Sequence, residues 1–187
     1  MDSSDDENLG GAKQTGRLSE SVNDAEDYWR GTENALVTIV CYGDFGCAAG
    51  GAAHSVWREV ERGAAKSVRY VFRYFPLESA GSQSFKAAEA AEAAGRQGKF
   101  WEMHDSLFAR QDKLDDASLV KRAAQLDLNV EQFLRDIADG ACVAKIRRDL
   151  RSGAASGVAR APTYFINGVI YKDALRADAL LAAVNNW

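Results

Sequence analysis

The stretch that decides the fold is residues 36–54, which read LVTIVCYGDFGCAAGGAAH. It begins with a largely β-branched run over 36–42, which is typical of a strand covered on both faces. A glycine-containing turn ends this run, and apolar residues then recur at helical spacing up to Gly63. A second run of β-branched and aromatic residues follows at 68–74. This order predicts two parallel strands joined by a right-handed helical crossover.

The rest of the chain changes character twice. Residues 82–152 are rich in alanine and carry apolar stripes at helical spacing, which predicts an all-helical block. Strand patterns return at 162–166 and 169–171, two short runs joined by an Asn-Gly pair that favours a hairpin. An amphipathic helix closes the chain. The sequence therefore predicts an α/β fold with the order β-α-β, helical insertion, β-β-α.

Composition and charge exclude several classes of protein. The chain has 187 residues, 47% hydrophobic and 27% charged, which fits one globular domain with an insertion, or two small domains sharing one core. No apolar run approaches the ~20 residues of a membrane-spanning helix, so no span is predicted. Residues 1–27 carry eight acids and two bases, and we interpret them as a disordered acidic tail. Basic residues are scattered over 28–187, which argues against nucleic acid as a partner.

Three cysteines and two histidines limit the chemistry. Cys41, Cys47 and Cys142 do not form a structural disulfide framework by number or spacing, so at least one thiol should be free. No paired spacing typical of zinc ligands is present, and no metal is expected. The first residues are acidic where a secretory signal would be basic and then apolar. The chain as written is therefore expected in the cytoplasm, or outside it if a signal peptide has been removed.

Cys47 is the candidate nucleophile because it stands where the predicted helix begins. Unpaired backbone N–H groups and the positive end of the helix dipole meet at such a position. This environment stabilises a thiolate, the reactive form of cysteine. A buried, unreactive thiol is the alternative for a cysteine considered by itself.

Four segments together resemble the DsbA-like branch of the thioredoxin superfamily. They are VTIVCYGDFGCAAGGAAH (37–54), VRYVFRYFPLESA (68–80), GKFWEMHDSLFARQ (98–111) and SGVARAPTYFINGVIY (156–171). The resemblance covers about residues 28–187. It implies a thioredoxin-fold domain, 28–81 and 153–187, interrupted by a helical insertion domain, 82–152. It also implies exchange with protein or low-molecular-weight thiols and disulfides, without an organic cofactor.

The resemblance also assigns candidate site residues. In that family a Cys-x-x-Cys pair opens the first helix; Cys47 matches its first position and Gly50 its second. A neighbouring second thiol resolves a mixed disulfide at high effective concentration, and its loss leaves a monothiol that needs an external thiol. Pro162 matches a proline that the family holds in the cis form beside the nucleophile. Ala161 matches the residue whose backbone pairs with an extended substrate. A trans proline that merely starts a strand is the alternative.

Three questions stay open at this point. Cys41 stands six residues before Cys47, where the family commonly carries a buried acid, and is either an alternative resolving thiol or an inert buried one. Gly50 is either the natural residue or an engineered change that traps mixed disulfides. The function is either monothiol thiol-disulfide exchange through Cys47 or, in a different class, a redox-inactive module that binds peptides or proteins beside Pro162.

Overall fold

The computed structural model describes residues 16–64, 67–77 and 81–185. The first part of the chain forms β1 (Tyr28–Gly31), β2 (Val37–Gly43), α1 (Ala48–Ala64) and β3 (Val68–Tyr74). Helices follow as α2 (Gln83–Gly95), α3 (Phe100–Ala109), α4 (Asp116–Gln125), α5 (Val130–Ala138) and α6 (Val143–Ala155). The chain ends with β4 (Thr163–Ile166), β5 (Val169–Ile170) and α7 (Ala177–Asn185).

The described strands form one sheet in the order β1-β3-β2-β4-β5. The β2–β3 pair is parallel, as the predicted crossover requires, and β4 pairs antiparallel with both β2 and β5. Asn167 and Gly168 form the β4–β5 turn with φ angles of 46° and 79°, the left-handed region that a tight hairpin turn needs. The α/β thioredoxin-like fold with inserted helices, predicted from the sequence, is confirmed.

Alternate residues of β2 face opposite layers of the molecule. Ile39 and Cys41 belong to the core cluster that contains Trp57 of α1, together with many residues of the inserted helices. Tyr42 belongs to a second cluster, with Phe165 of β4, on the other face of the sheet. Both faces of the strand are thus covered, which explains its almost continuous apolar sequence.

Residues 16–27 are packed against the domain. Asp27 is buried, and its two carboxylate oxygens accept hydrogen bonds from Arg73 Nε at 3.1 Å and Nη2 at 2.9 Å. Leu18 packs against the second core cluster. The expectation of a disordered tail over 1–27 is therefore wrong for residues 16–27. The sequence alone does not distinguish an acidic residue that pairs with a buried cation, as Asp27 does, from an acidic residue on the surface. Residues 1–15 lie outside the described residues.

Within the described ranges, no helix is both long enough and apolar enough to cross a bilayer.

Candidate active site

Cys47 lies at the junction between the turn after β2 and the first residue of α1. It is partly exposed, and its backbone N–H donates to the carbonyl oxygen of Asp44 at 3.3 Å. Its own carbonyl oxygen accepts from the N–H of Gly50 at 2.8 Å, the first hydrogen bond of the helix. The thiol therefore stands at a helix N-terminus, as the position of Cys47 in the sequence predicts.

The side chain of Asp44 fixes the turn in front of Cys47. This carboxylate is buried; Oδ1 accepts from the N–H of Gly46 at 2.8 Å and Oδ2 from the N–H of Leu77 at 3.1 Å. One side chain thus joins the turn to the segment that follows β3. These two partly buried hydrogen bonds fix the conformation of the turn.

Ala161 and Pro162 lie directly against the thiol. Cys47 Sγ is 3.4 Å from the carbonyl oxygen of Ala161, and the peptide bond between Ala161 and Pro162 is cis. These residues are brought there because β4, which starts at Thr163, pairs with β2. Cys47, which follows β2, and the Ala161–Pro162 pair, which precedes β4, thus meet although they are far apart in the sequence.

A groove of about 990 Å³ begins beside Pro162. Small and apolar residues form most of its lining, including Ala49 and Val56 of α1 and Leu175 before α7. Charged side chains at Arg160 and Lys172 also border it. The groove includes Ala161, whose carbonyl oxygen contacts Cys47 Sγ.

Gly50 occupies the second motif position, and no room is left for a side chain there. A Cβ atom on Gly50 would lie 2.8 Å from the carbonyl oxygen of Asp44 and 3.0 Å from Phe108 Cε1. Phe108 comes from α3, in the inserted helices. The helical block therefore fills the space that a second cysteine would need.

Cys41 and Cys142 are both buried, and all three cysteines are free. Cys41 lies beneath α1, where burial raises its pKa to about 11 although Tyr70 and Tyr164 hydrogen-bond to it. Burial also raises the pKa of Cys142 to about 12. Since an attacking thiol must be ionised, these environments weigh against Cys41 as a resolving thiol.

A cluster that the sequence did not reveal joins two histidines to Asp105. His104 Nδ1 lies 2.8 Å and His54 Nε2 3.5 Å from Asp105 Oδ1, and one potential ligand atom of each residue lies within 4.8 Å of the others. Arg30 Nη1 also donates to both oxygens of Asp105, at 3.2 and 3.0 Å. The carboxylate is thus already paired with a fixed cation, which opposes binding of a metal ion. His104 and Asp105 are neighbours on α3, but His54 comes from α1 and Arg30 from β1, so no sequence pattern connects the whole cluster.

Gln111 is a second residue of the site that sequence reasoning missed. It follows α3 in the chain, and its Nε2 donates to the carbonyl oxygens of Phe45 at 2.7 Å and Cys47 at 2.8 Å. It stands at the end of one motif segment of the family resemblance, but a lone glutamine after a helix gives no further signal.

The sequence model of a protein family described as "Thioredoxin" matches residues 23–186. This chain belongs to the thioredoxin family. Its structure is similar to that of a thioredoxin-like oxidoreductase from Silicibacter pomeroyi, with a TM-score of 0.78 and 26% identity, covering 88% of this chain and 93% of that one. The thioredoxin-family fold is also shared with oxidised BdbD from Bacillus subtilis: TM-score 0.79, 19% identity, 91% and 97% of the two chains covered. The thiol-disulfide exchange protein alpha-DsbA2 from Wolbachia pipientis shares the fold as well, with a TM-score of 0.77 and 22% identity over 87% of this chain and 88% of that one. The chain therefore has the DsbA-like form of the thioredoxin fold.

The sequence relatives of this thioredoxin-family chain are longer proteins. It is 40% identical over 176 residues to the protein named Na(+)/H(+) antiporter NhaA 3 of Salinispora tropica. That alignment covers 94% of this chain and 27% of the Salinispora protein. The chain spans about a quarter of the length of the antiporter-named relatives that it matches.

Proposed function

We propose that this protein catalyses thiol-disulfide exchange through one nucleophilic cysteine, Cys47. The observation that carries the proposal is the position of its Sγ, at the N-terminus of α1 and 3.4 Å from the carbonyl oxygen of Ala161. A thiolate is stabilised at a helix start, and partial exposure gives a substrate access to it. The DsbA-like fold supports the same chemistry.

The reaction runs in two balanced steps. The Cys47 thiolate attacks one sulfur of a substrate disulfide, the substrate S–S bond breaks, and the other substrate sulfur leaves as a thiolate. A second thiolate, from a protein or a small molecule, then attacks the mixed disulfide. Cys47 is released as a thiolate, and a disulfide now joins the incoming thiol to the substrate. The electrons stay on sulfur throughout, so the exchange needs no organic cofactor.

The external thiol is required because the second motif position cannot supply one. Gly50 carries no sulfur, and Phe108 and the carbonyl of Asp44 occupy the space beside it. Resolution is then bimolecular and loses the high effective concentration of a neighbouring thiol. Mixed disulfides with Cys47 should therefore be long-lived when free thiols are scarce.

The groove beside Pro162 is the proposed substrate-binding surface. An extended segment can lie along Ala161 and Pro162 with its apolar side chains in the groove, which places its disulfide near Cys47 Sγ. Protein substrates and low-molecular-weight disulfides both fit this arrangement. They differ in how much of the groove they fill.

A redox-inactive binding module is the second candidate. The closed packing around Gly50 favours it, because a protein that has lost dithiol chemistry can keep the same groove for peptides or protein partners. In this alternative Cys47 makes no functional disulfide. The two candidates differ in the reactivity of one sulfur atom.

The test is alkylation of the native protein with iodoacetamide at about pH 5.5, where a thiol with the ordinary pKa of about 8.5 is almost fully protonated. The exchange enzyme should be labelled quickly at Cys47 and should form a mixed disulfide with oxidised glutathione. Cys47→Ser should abolish both reactions, while the matched variant Cys142→Ser should leave both rates unchanged. Slow labelling with no mixed disulfide would favour the binding module.

A further inference from the structure

We infer that Gln111 is a positioning residue for Cys47: its side-chain amide holds the peptide group that follows the nucleophile, an inference that rests on the proposed exchange function. Gln111 is partly buried and reaches the turn from the segment after α3. Its Nε2 donates to the carbonyl oxygens of Phe45 and Cys47, at 2.7 and 2.8 Å. One amide therefore uses both of its N–H bonds on the turn that carries the thiol.

The hydrogen bond to Cys47 fixes a whole peptide plane. A peptide bond is planar and trans, so holding the carbonyl oxygen of Cys47 also fixes the direction of the N–H of Ala48 on the opposite side. The same carbonyl accepts from the N–H of Gly50, so two donors hold it. The Ala48 N–H then points towards the N-terminal end of α1, where the thiol lies and where amide dipoles stabilise negative charge.

The hydrogen bond to Phe45 holds the turn two residues before the thiol in the chain. Phe45 is almost fully buried, and a buried carbonyl oxygen needs a hydrogen-bond donor, so the conformation of the turn depends on this partner. Gln111 pairs this oxygen together with that of Cys47, two residues further along the turn. The amide thus favours the ionised sulfur by orienting the N–H of Ala48, and it holds the turn in place by pairing both acceptors.

The glycine pair at the start of α1 supports this role. A Cβ atom on Gly51 would lie 2.3 Å from Gln111 Oε1 and 3.1 Å from its Cδ. Glycines are unfavourable in a helix compared with alanine, so two adjacent ones need a structural reason. The amide of Gln111 occupies the side-chain space of Gly51 and Phe108 that of Gly50. The two glycines lower the intrinsic stability of α1 but leave space for Phe108 and Gln111 to contact the turn.

The test compares pH profiles of the alkylation rate of Cys47 between about pH 4 and pH 10. Gln111→Met keeps the size of the side chain and removes both donors. We expect its profile to move to higher pH, with a rate at about pH 5.5 that falls roughly fivefold, as loss of one hydrogen bond of ordinary strength implies. The rate at alkaline pH, where every molecule is already a thiolate, should stay unchanged. Gly51→Ala should shift the profile in the same direction, because its methyl group displaces the amide.

A matched control separates positioning from stability. Gln97→Met removes a glutamine whose Nε2 donates to Asn129 O at 3.2 Å and whose Oε1 accepts from Asn129 N at 2.8 Å, both within the helical block. It should leave the alkylation profile in place. Urea unfolding of each variant shows whether stability alone has changed.

The outcomes are distinct for the two proposals. Slow labelling of the unmodified protein at acid pH, together with no mixed disulfide with oxidised glutathione, refutes the exchange function itself. Fast labelling of that protein together with an unshifted profile in Gln111→Met refutes the inference about Gln111. If Gln111→Met does not fold, an unshifted profile in Gly51→Ala refutes it equally.

Discussion

Phe108 closes the position at which a second active-site cysteine would stand: a Cβ atom on Gly50 would lie 3.0 Å from its Cε1. The ring also packs against Phe45 of the turn, with centroids 4.8 Å apart. Replacing Gly50 therefore disturbs a packed contact between α1 and α3. The second motif position thus lacks a sulfur atom and is also closely packed.

The first prediction concerns Gly50→Cys. We expect it to lower the free energy of unfolding by about 1–3 kcal/mol, the usual cost of overpacking, because a side chain there meets Phe108 and the carbonyl of Asp44. Urea unfolding under reducing conditions measures this loss. Unchanged stability would show that the turn adjusts freely and that Gly50 is not required by its neighbours.

A second variant shows which neighbour matters. Phe108→Leu combined with Gly50→Cys shortens the opposing side chain and should recover part of the lost stability. It should also allow a disulfide between Cys47 and the new thiol, detected by mass spectrometry after mild oxidation, and dithiol activity in an insulin-reduction assay. Phe108→Leu alone provides the matched baseline for stability.

The second prediction concerns the number of reactive thiols. A disulfide reagent such as dithiobisnitrobenzoate should titrate one thiol rapidly in the native protein and all three after denaturation. Cys47 is partly exposed, whereas burial raises the pKa of Cys41 to about 11 and that of Cys142 to about 12. A Cys41–Cys47 crosslink after mild oxidation of the native protein would instead establish Cys41 as a resolving thiol.

The secondary-structure elements that could be predicted are those whose residue pattern lies within a single segment of the sequence. β2, α1 and β3 follow from residue patterns within one segment each, and Asn167-Gly168 marks its own hairpin. β1 was missed because it is four residues long and pairs with β3, far along the chain. The pairing of β1 with β3, like that of Asp27 with Arg73, depends on the tertiary structure and leaves no pattern in the sequence.

The same division applies to the candidate site. Cys47 and Pro162 were predicted because helix position and a family motif identify them. Gln111 and Asp105 were not, because each acts on residues of a different element and has an ordinary sequence context. A residue that works through a side-chain hydrogen bond across the fold leaves no periodic signal.

The third prediction is a loss of stability between pH 7 and pH 5 caused by His104. Burial lowers its pKa to about 4, although the neighbouring carboxylate of Asp105 favours the charged form. A histidine with a depressed folded pKa binds its proton more readily in the unfolded chain, so stability falls as pH drops below about 6.5 towards 4. We expect a decrease of about 2 kcal/mol in the free energy of unfolding by pH 5.

Two variants test the source of that loss. His104→Gln should flatten the dependence of the unfolding free energy on pH over this range, whatever its effect on stability at pH 7. Burial also lowers the pKa of His54, which lies beside Asp105, but His54 is less enclosed than His104. His54→Gln should therefore remove less of the slope. A full slope in His104→Gln would contradict the assignment.

The fourth prediction concerns the buried pair of Asp27 and Arg73. Besides Asp27, Arg73 donates to the carbonyl oxygens of Glu20 and Ser21 and to the hydroxyl of Tyr42. One guanidinium thus fixes residues 20–27 to the sheet. Asp27→Asn should lower the free energy of unfolding by about 3–5 kcal/mol, because it leaves a buried cation without its counter-ion.

Acid should remove the same interaction without a mutation. Burial raises the pKa of Asp27, but the hydrogen bonds and charge of Arg73 lower it more, so the net pKa lies below its ordinary value. A carboxylate with a depressed folded pKa contributes its full stability above the unfolded pKa of about 3.9 and loses it as pH falls through the folded value. Unfolding measured between about pH 5 and pH 2 should show a smaller loss in Asp27→Asn than in the unmodified protein, because the variant lacks this contribution but keeps that of Asp105, whose pKa is also lowered, to about 2.

A double variant distinguishes loss of pairing from loss of packing. Asp27→Asn combined with Arg73→Met removes both charges and should be more stable than Asp27→Asn alone, since an uncompensated buried charge costs more than an apolar replacement. Asp112→Asn, which breaks an ion pair with Arg110 on the exposed surface, should leave the free energy of unfolding nearly unchanged. If the double variant is as unstable as Asp27→Asn, the attachment of residues 16–27 depends on packing contacts such as that of Leu18 rather than on the buried charges.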